Sequence, residues 1–366
     1  MSRDIIQEEI VNGLPSPCHG LLNLAPRVGK TKIAIDLIKK EKPKKILWVT
    51  PSTKLRDIDI PREFIKWKAK TYLKKTDIIC YASMAKHIGM YNLIILDEYQ
   101  EITIKNSAPL LDNSILWDNI IGLSGTHPKH QEKLDIYKKL NLKILTSMTI
   151  DKAIEKTLIA PYNITVINCE LNKVDRYVKA GSKNKPFLQT EAGQYNYFTK
   201  SITKLLDVGR TVPKFYYLNR MRFLYDLKSK NNFAKQFLRL LKGRTLVFTG
   251  SIKMAEYICK DTYHSKTTDI AYNKFLEGKI DKLSLVNSGG IGSTYRNVDN
   301  FLIVQVNSNK KGGATQKIAR SLVLQDNYVA NIYILVVKDT VDEVWVEKVL
   351  ETFDKSKVKY INWKDI

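Results

Sequence analysis

The chain has 366 residues and sets 60 Lys and Arg against 37 Asp and Glu, a formal net charge of +23. Its 44% hydrophobic and 27% charged residues exclude a disordered chain, and its four cysteines (Cys18, Cys80, Cys169 and Cys259) stand at no metal-ligand or disulfide-framework spacing. No apolar run is long enough to span a bilayer, and so large a basic excess repels itself unless a polyanion, nucleic acid or an acidic membrane surface, is at hand.

The N-terminus, MSRDIIQEEI, lacks the apolar core of a signal peptide, so a cytoplasmic location (the host cytoplasm for a viral protein) is expected. From there the first 150 residues alternate short β-rich runs with helix-like polar stretches. Leu21–Leu24 is an apolar run before the helical stretch Lys32–Lys40. Strands are expected at Ile46–Thr50, Ile78–Tyr81, Leu93–Asp97, Ile120–Ser124 and Lys143–Thr146. Near-continuous apolar runs of this length suit strands covered on both faces, as in a parallel sheet.

The middle of the chain reads differently. Asn163–Leu171 is expected to be a strand and Gly181–Pro186 an exposed loop. From about 195 to 241 the pattern is helical, basic and aromatic, with Phe215, Tyr216, Tyr217, Arg220, Arg222 and Phe223 close together. This stretch is either a nucleic-acid-facing helical insertion or packing for a second domain, and packing is the favoured reading because helical aromatic stripes usually face a core. A second α/β set follows, with strands expected at Thr245–Thr249, Lys282–Val286, Phe301–Val306 and Asn331–Val337. The division expected is a first α/β domain over 1–160 and a second over 161–366 that carries the helical segment.

The strongest local signal is Leu24-Ala-Pro-Arg-Val-Gly-Lys-Thr31, which lies between an apolar run and a helical stretch. That context suits a phosphate-binding loop. The backbone of Arg27, Val28, Gly29, Lys30, Thr31 and Lys32 would cradle phosphates, Lys30 would reach them as a charge, and the Thr31 hydroxyl would ligate Mg²⁺. The second signal is the apolar run Leu93–Leu96 ending in Asp97 and Glu98. Two adjacent carboxylates at the carboxyl edge of a parallel sheet stand where ligands bind in open α/β folds. Asp97 would hold Mg²⁺ and Glu98 would polarise an attacking water.

The order Gly29-Lys30-Thr31, Thr50-Pro51-Ser52-Thr53, Asp97-Glu98-Tyr99-Gln100 and Ser124-Gly125-Thr126 resembles motifs I, Ia, II and III of the superfamily 2 helicases, DEYQ being similar to the DEAD and DEAH variants. Phe248-Thr249-Gly250-Ser251 resembles motif IV, Asn287-Ser288-Gly289-Gly290-Ile291-Gly292-Ser293 motif V, and Gln316-Lys-Ile-Ala-Arg320 motif VI. The resemblance spans nearly the whole chain. It implies two tandem RecA-like domains, parallel sheets flanked by helices, with ATP in the cleft between them. It implies that Gln7 reads adenine, that Arg320 serves as an arginine finger and that Gln316 touches the nucleotide or the attacking water. Ser124 and Thr126 would couple nucleotide state to domain movement. Thr50, Pro51, Ser52, Thr249, Gly250, Ser251, Gly290, Gly292 and Ser293 would hold the nucleic-acid backbone. His264 would either touch the strand or sit in a solvated loop.

Three positions depart from the pattern: Leu24 where the phosphate loop has its first glycine, Ala319 for the usual glycine of motif VI, and Val323 for its second arginine. Motif V also lacks its common aspartate. The expected function is an ATP- and Mg²⁺-dependent motor on nucleic acid, single-stranded or branched, acting as a monomer. DNA is favoured over RNA because the motif spellings resemble compact bacteriophage helicases. The alternatives are a helicase-like binding module with little ATPase activity and a phosphate-loop enzyme acting on a small substrate.

Overall fold

The structure is a computed structural model. It describes residues 3–128, 130–182, 184–286, 295–306, 318–319 and 321–366. The chain forms two compact units that part between Ala160 and Pro161.

In the first unit, β1 (Gly20–Leu24), β2 (Ile46–Thr50), β3 (Thr76–Cys80), β4 (Gly89–Asp97), β5 (Ile115–Ser124) and β6 (Ile144–Met148) form one six-stranded sheet in the order β3-β2-β4-β5-β1-β6. Every pairing in it is parallel. All five residues of β2 are buried, as a strand covered on both faces requires. One face packs Val49, Leu96 and Ile120 with Tyr81, Tyr99, Ile136 and Tyr137. In the register, Asn23 stands beside Ser124, Asp97 beside Leu123, and Val49 beside Leu96. The four loops that leave β1, β2, β4 and β5 therefore emerge at one sheet edge. That edge is where the four stretches that resemble helicase motifs I, Ia, II and III begin.

The second unit opens with β7 (Tyr162–Cys169), which runs parallel between two strands from the far end of the chain, β14 (Ala330–Val337) and β15 (Val358–Asn362). With β10 (Thr245–Thr249), β11 (Thr262–Tyr263), β12 (Lys282–Val286) and β13 (Asn300–Ile303) these strands make a seven-stranded parallel sheet in the order β11-β12-β10-β13-β14-β7-β15. The two helix-flanked parallel sheets are the α/β fold expected from the sequence.

Two sequence expectations need correction in this unit. The Gly181–Pro186 stretch is not a loop: Gly181 and Ser182 end β8 (Val178–Ser182), Lys185 and Pro186 begin β9 (Lys185–Gln189), and the two strands pair antiparallel. Neither strand has a fully buried residue, so no apolar alternation marked them. The helical segment, in turn, divides between core and surface. Leu224, Ala234, Phe237 and Leu238 pack on the sheet, but the helix Lys214–Tyr225 buries Leu224 alone and leaves Phe215, Tyr217 and Leu218 exposed.

Candidate active site

The loop between β1 and the helix Lys30–Glu41 is held from beneath by the first helix, Arg3–Asn12. The buried Gln7 donates from Nε2 to the Val28 carbonyl at 2.6 Å, and an Arg3 guanidinium nitrogen donates to the Arg27 carbonyl. Gly29 caps the helix with φ +97°, and a Cβ there would run into the Gln7 amide. Both the left-handed backbone and the close approach require glycine. The N–H groups at the start of the Lys30 helix have no partner within the helix, which leaves a cluster of donors and a positive dipole end at the loop.

Around the loop, the side chains of the expected binding residues divide. Val28 is buried. Lys32 turns away to Asp36 at 2.9 Å and Asp4 at 3.6 Å, so only its backbone faces the loop. Lys30 turns the other way, with Nζ 3.4 Å from Glu98 Oε1.

The end of β4 supplies the acids. Asp97 is buried, and Glu98 takes the left-handed backbone at φ +54°, a conformation that costs a non-glycine residue about 1 kcal/mol or more. Burial, and then the neighbouring Glu98 charge, raise the Asp97 pKa well above the usual carboxylate range, with Lys30 and the Trp48 indole opposing the shift. Trp48 is fully buried, as a core residue of β2. A carboxylate disfavoured in this way gains from any cation brought beside it.

Gln100, quoted in the sequence but given no role there, joins this acid to the next strand. Its Nε2 donates to Glu98 Oε2 at 2.7 Å and its Oε1 lies 2.5 Å from the Ser124 hydroxyl. The amide orientation follows, since only nitrogen can donate to a carboxylate and only oxygen can accept from a hydroxyl. Ser124 also accepts from the Thr126 N–H at 2.9 Å, and Lys133 donates to the Gln100 carbonyl. Lys30, Glu98, Gln100, Ser124 and Thr126 thus form one polar chain across three adjacent strands. Below it, Tyr99 OH pairs with His127 Nδ1 at 2.9 Å and the Tyr137 OH donates to the Tyr99 carbonyl at 3.1 Å. Both partners of that second link, His127 and Tyr137, went unremarked in the sequence because their tie to Tyr99 is tertiary.

At β2, Thr50 is buried and its hydroxyl has no hydrogen-bond partner among the described residues, while the Ser52 Oγ accepts from the Leu55 N–H at 3.3 Å. Pro51 and Ser52 are half-buried and reach the surface.

In the second unit the matching residues are more deeply committed to the fold. The buried Thr249 hydroxyl donates to the Leu285 carbonyl at 3.1 Å, and the Ser251 hydroxyl caps the helix Ile252–Ile258 by accepting from Met254 N at 3.2 Å. Gly250 lies against Gln305 and Tyr225. His264 is not a solvated loop histidine: it is buried, with Nδ1 accepting from Lys266 N and Nε2 3.4 Å from Glu256 Oε1. Gly290, Gly292, Ser293, Gln316 and Arg320 lie outside the described residues. Ala319 is buried and Val323 half-buried.

A charged cluster that the sequence did not announce lies near the ends of β13 and β14. The fully buried Lys230 reaches Gln305 Oε1 at 2.5 Å and Asp342 Oδ2 at 3.2 Å, and Gln305 Nε2 donates to Asp342 Oδ1 at 3.0 Å. Each charge here has its partners, as burial demands.

No family model matches the sequence, and no curated protein matches it. Solved structures do resemble the fold. The helicase domain of Pyrococcus furiosus Hef superposes with a TM-score of 0.61 at 13% identity, covering 95% of this chain and 99% of that one. The ATP-dependent Type ISP restriction-modification enzyme LlaBIII bound to DNA gives 0.60 at 12% identity over 98% of this chain, which spans only 31% of LlaBIII. Saccharomyces cerevisiae Dbp5 bound to RNA and ADP BeF3 gives 0.58 at 12% identity, covering 98% of this chain and 90% of that one. The likeness gives the fold: two tandem RecA-like units, each a parallel sheet flanked by helices.

Proposed function

We propose that the chain is an ATP-driven motor on nucleic acid that unwinds or remodels duplexes, acting on DNA in preference to RNA and as a monomer. The polar chain from Lys30 through Glu98 and Gln100 to Ser124 and Thr126 carries this reading, because it ties a phosphate-type loop to two further motifs in one hydrogen-bonded line.

The residues present suit ATP and Mg²⁺. The loop has the glycine-only backbone and the free N–H groups that phosphates take. Gln7 keeps a buried Oε1 with no hydrogen-bond partner among the described residues, an acceptor suited to the exocyclic amine of adenine. Thr31 and the buried Asp97 would hold Mg²⁺ on the loop side, and two protein oxygens are the usual complement for that ion beside phosphates. When bound, ATP supplies the phosphoryl group and Mg²⁺ neutralises its charge.

The chain's own residues then divide the work. Lys30 leaves Glu98 to hold phosphate charge, which frees the Glu98 carboxylate to orient water and take its proton. Gln100 fixes the Glu98 side chain and reports its position to Ser124 and Thr126. Gln316 and Arg320 keep the nucleotide-contact and arginine-finger roles that the resemblance gives them. The +23 charge, the half-buried Pro51 and Ser52 at the surface, and bare N–H groups beside small residues suit contact with a phosphate backbone, which positions a strand without reading its sequence. LlaBIII, bound to DNA, and Dbp5, bound to RNA, show that the same fold accepts either polymer, and the DNA preference rests on the motif spellings.

Steady-state ATP hydrolysis with and without single-stranded DNA and RNA tests this reading. Expected is stimulation by DNA above RNA, with hydrolysis falling by about a hundredfold or more in Lys30→Ala and Glu98→Gln. Salt-sensitive strand binding without hydrolysis would leave a gripping module, for which Val323 in place of an arginine is the ready cause. Hydrolysis indifferent to both polymers would sink the motor.

A further inference from the structure

The helix Lys214–Tyr225 has two faces of opposite character. Arg220, Phe223 and Leu224 turn inward: Phe223 meets Phe198 of the helix Glu191–Asp207 at 5.7 Å between ring centroids, Arg220 lies 5.9 Å from the Tyr195 ring, and Leu224 is buried. Phe215, Leu218, Asn219 and Arg222 follow the i, i+3, i+4, i+7 spacing of one helix face, and all four are exposed. Phe215 is 52% exposed although its other side stacks on Tyr216 at 4.2 Å, so the pair presents a braced ring with one open face. Tyr197 on the neighbouring helix is 61% exposed.

An open aromatic face alone does not name its occupant, but the charge around it does. Between Tyr197 and Arg222 the chain places Lys200, Lys204, Arg210, Lys214, Arg220 and Arg222 against a single acid, Asp207. Among the described residues none of the exposed Lys200, Lys204, Lys214 and Arg222 has a carboxylate within ion-pair distance. A basic surface set with open rings is complementary to a polyanion that carries flat apolar groups, and single-stranded nucleic acid is both.

We infer that Phe215, braced by Tyr216 and flanked by Lys214 and Arg222, forms a stacking platform that grips single-stranded nucleic acid outside the helicase motifs. This inference rests on the nucleic-acid reading above. A base stacks on the open face of the Phe215 ring, and Lys214 and Arg222 take the backbone phosphates. The grip is indifferent to sequence, because every base offers a flat face.

Fluorescence anisotropy of a labelled oligothymidylate with the full-length protein tests it, using Phe215→Ala, Phe215→Trp and Lys214→Ala/Arg222→Ala. The alanine ring variant is expected to bind about tenfold more weakly with the salt slope of the wild type, and the tryptophan variant to restore binding. Removing the two charges is expected to reduce the salt slope by about 0.7 for each. Thermal melting that matches the wild type confirms that the variants fold. A wild-type protein that binds the strand, with the Phe215→Ala variant binding it equally well, overturns the platform alone. A wild-type protein that binds no strand at all overturns the platform and the proposed function together.

Discussion

The carboxyl edges of the two sheets treat their polar residues in opposite ways. In the first unit Lys30, Glu98, Gln100 and Ser124 form a line that begins in a half-open site, with Lys30 and Glu98 side chains 13% and 26% exposed. In the second unit Lys230, Gln305 and Asp342 are sealed, and Thr249 and Ser251 spend their hydroxyls on the fold. The first edge keeps charge available for chemistry and the second spends it on rigidity. The second unit's open basic and aromatic groups lie instead on the helix Lys214–Tyr225. The proposed motor would use this division: a reactive site that responds to its ligand, and a stiff body that carries the response.

The sharpest way to break the comparison is Lys230→Met. If the second edge is structural, the variant leaves Asp342 buried without its cation and costs roughly 3–5 kcal/mol of unfolding free energy. Lys230→Met/Asp342→Leu should recover much of that loss. Chemical denaturation measures both. A Lys230→Met variant as stable as the wild type but inactive would move the cluster to the reactive side.

Next in size is Gly29→Ala, which acts on the first edge through the backbone. The left-handed φ and the overlap with Gln7 predict a loss of about 1–3 kcal/mol in stability, and ATP binding should fail with it. Equilibrium binding of a fluorescent ATP analogue checks the second half. Retained binding would mean that the loop reshapes without its glycine and is no preformed cradle.

The two edges also differ in how plainly the sequence announced them. Gly29-Lys30-Thr31, Asp97-Glu98 and the strands beneath them were readable, because a phosphate-type loop and a buried strand ending in acids each leave a local pattern. Gln100 stood in plain view, but its link to Ser124 depends on β5 lying beside β4, which no local pattern encodes. Lys230 and Asp342 are 112 residues apart, and nothing near either in the sequence marks burial. Aromatic residues at helical spacing suggested core, and the rule served for Phe223 and Phe237 but not for Phe215. Periodicity gives a face, while its direction comes from what packs against it. The β8–β9 hairpin was lost for the same reason, having no buried face to give it an alternating signature.

A smaller effect sharpens the first edge. Gln100→Glu replaces the amide donor with a second carboxylate facing Glu98, so the polar chain to Ser124 is expected to break. ATP hydrolysis should fall by about tenfold while nucleotide binding holds, since one hydrogen bond to a charged group is worth roughly 1.5–3 kcal/mol. The readout that isolates coupling is the ratio of strand-stimulated to basal hydrolysis. It should collapse toward one if Gln100 carries the signal to Ser124 and Thr126.

The smallest effect tests the second edge at the residue where motif resemblance and structure pull hardest against each other. Thr249→Val keeps the shape of the side chain and removes the hydroxyl that donates to Leu285 O. A structural hydroxyl predicts a loss of about 1 kcal/mol in denaturant unfolding, from the unpaired carbonyl, with strand affinity unchanged. A nucleic-acid contact predicts the reverse, weaker strand binding with stability intact. Burial favours the first outcome, because a hydroxyl inside a fully covered strand has no route to a phosphate unless the strand itself opens. If binding weakens all the same, β10 opens when the protein grips, and the second edge is less rigid than its hydrogen bonds imply.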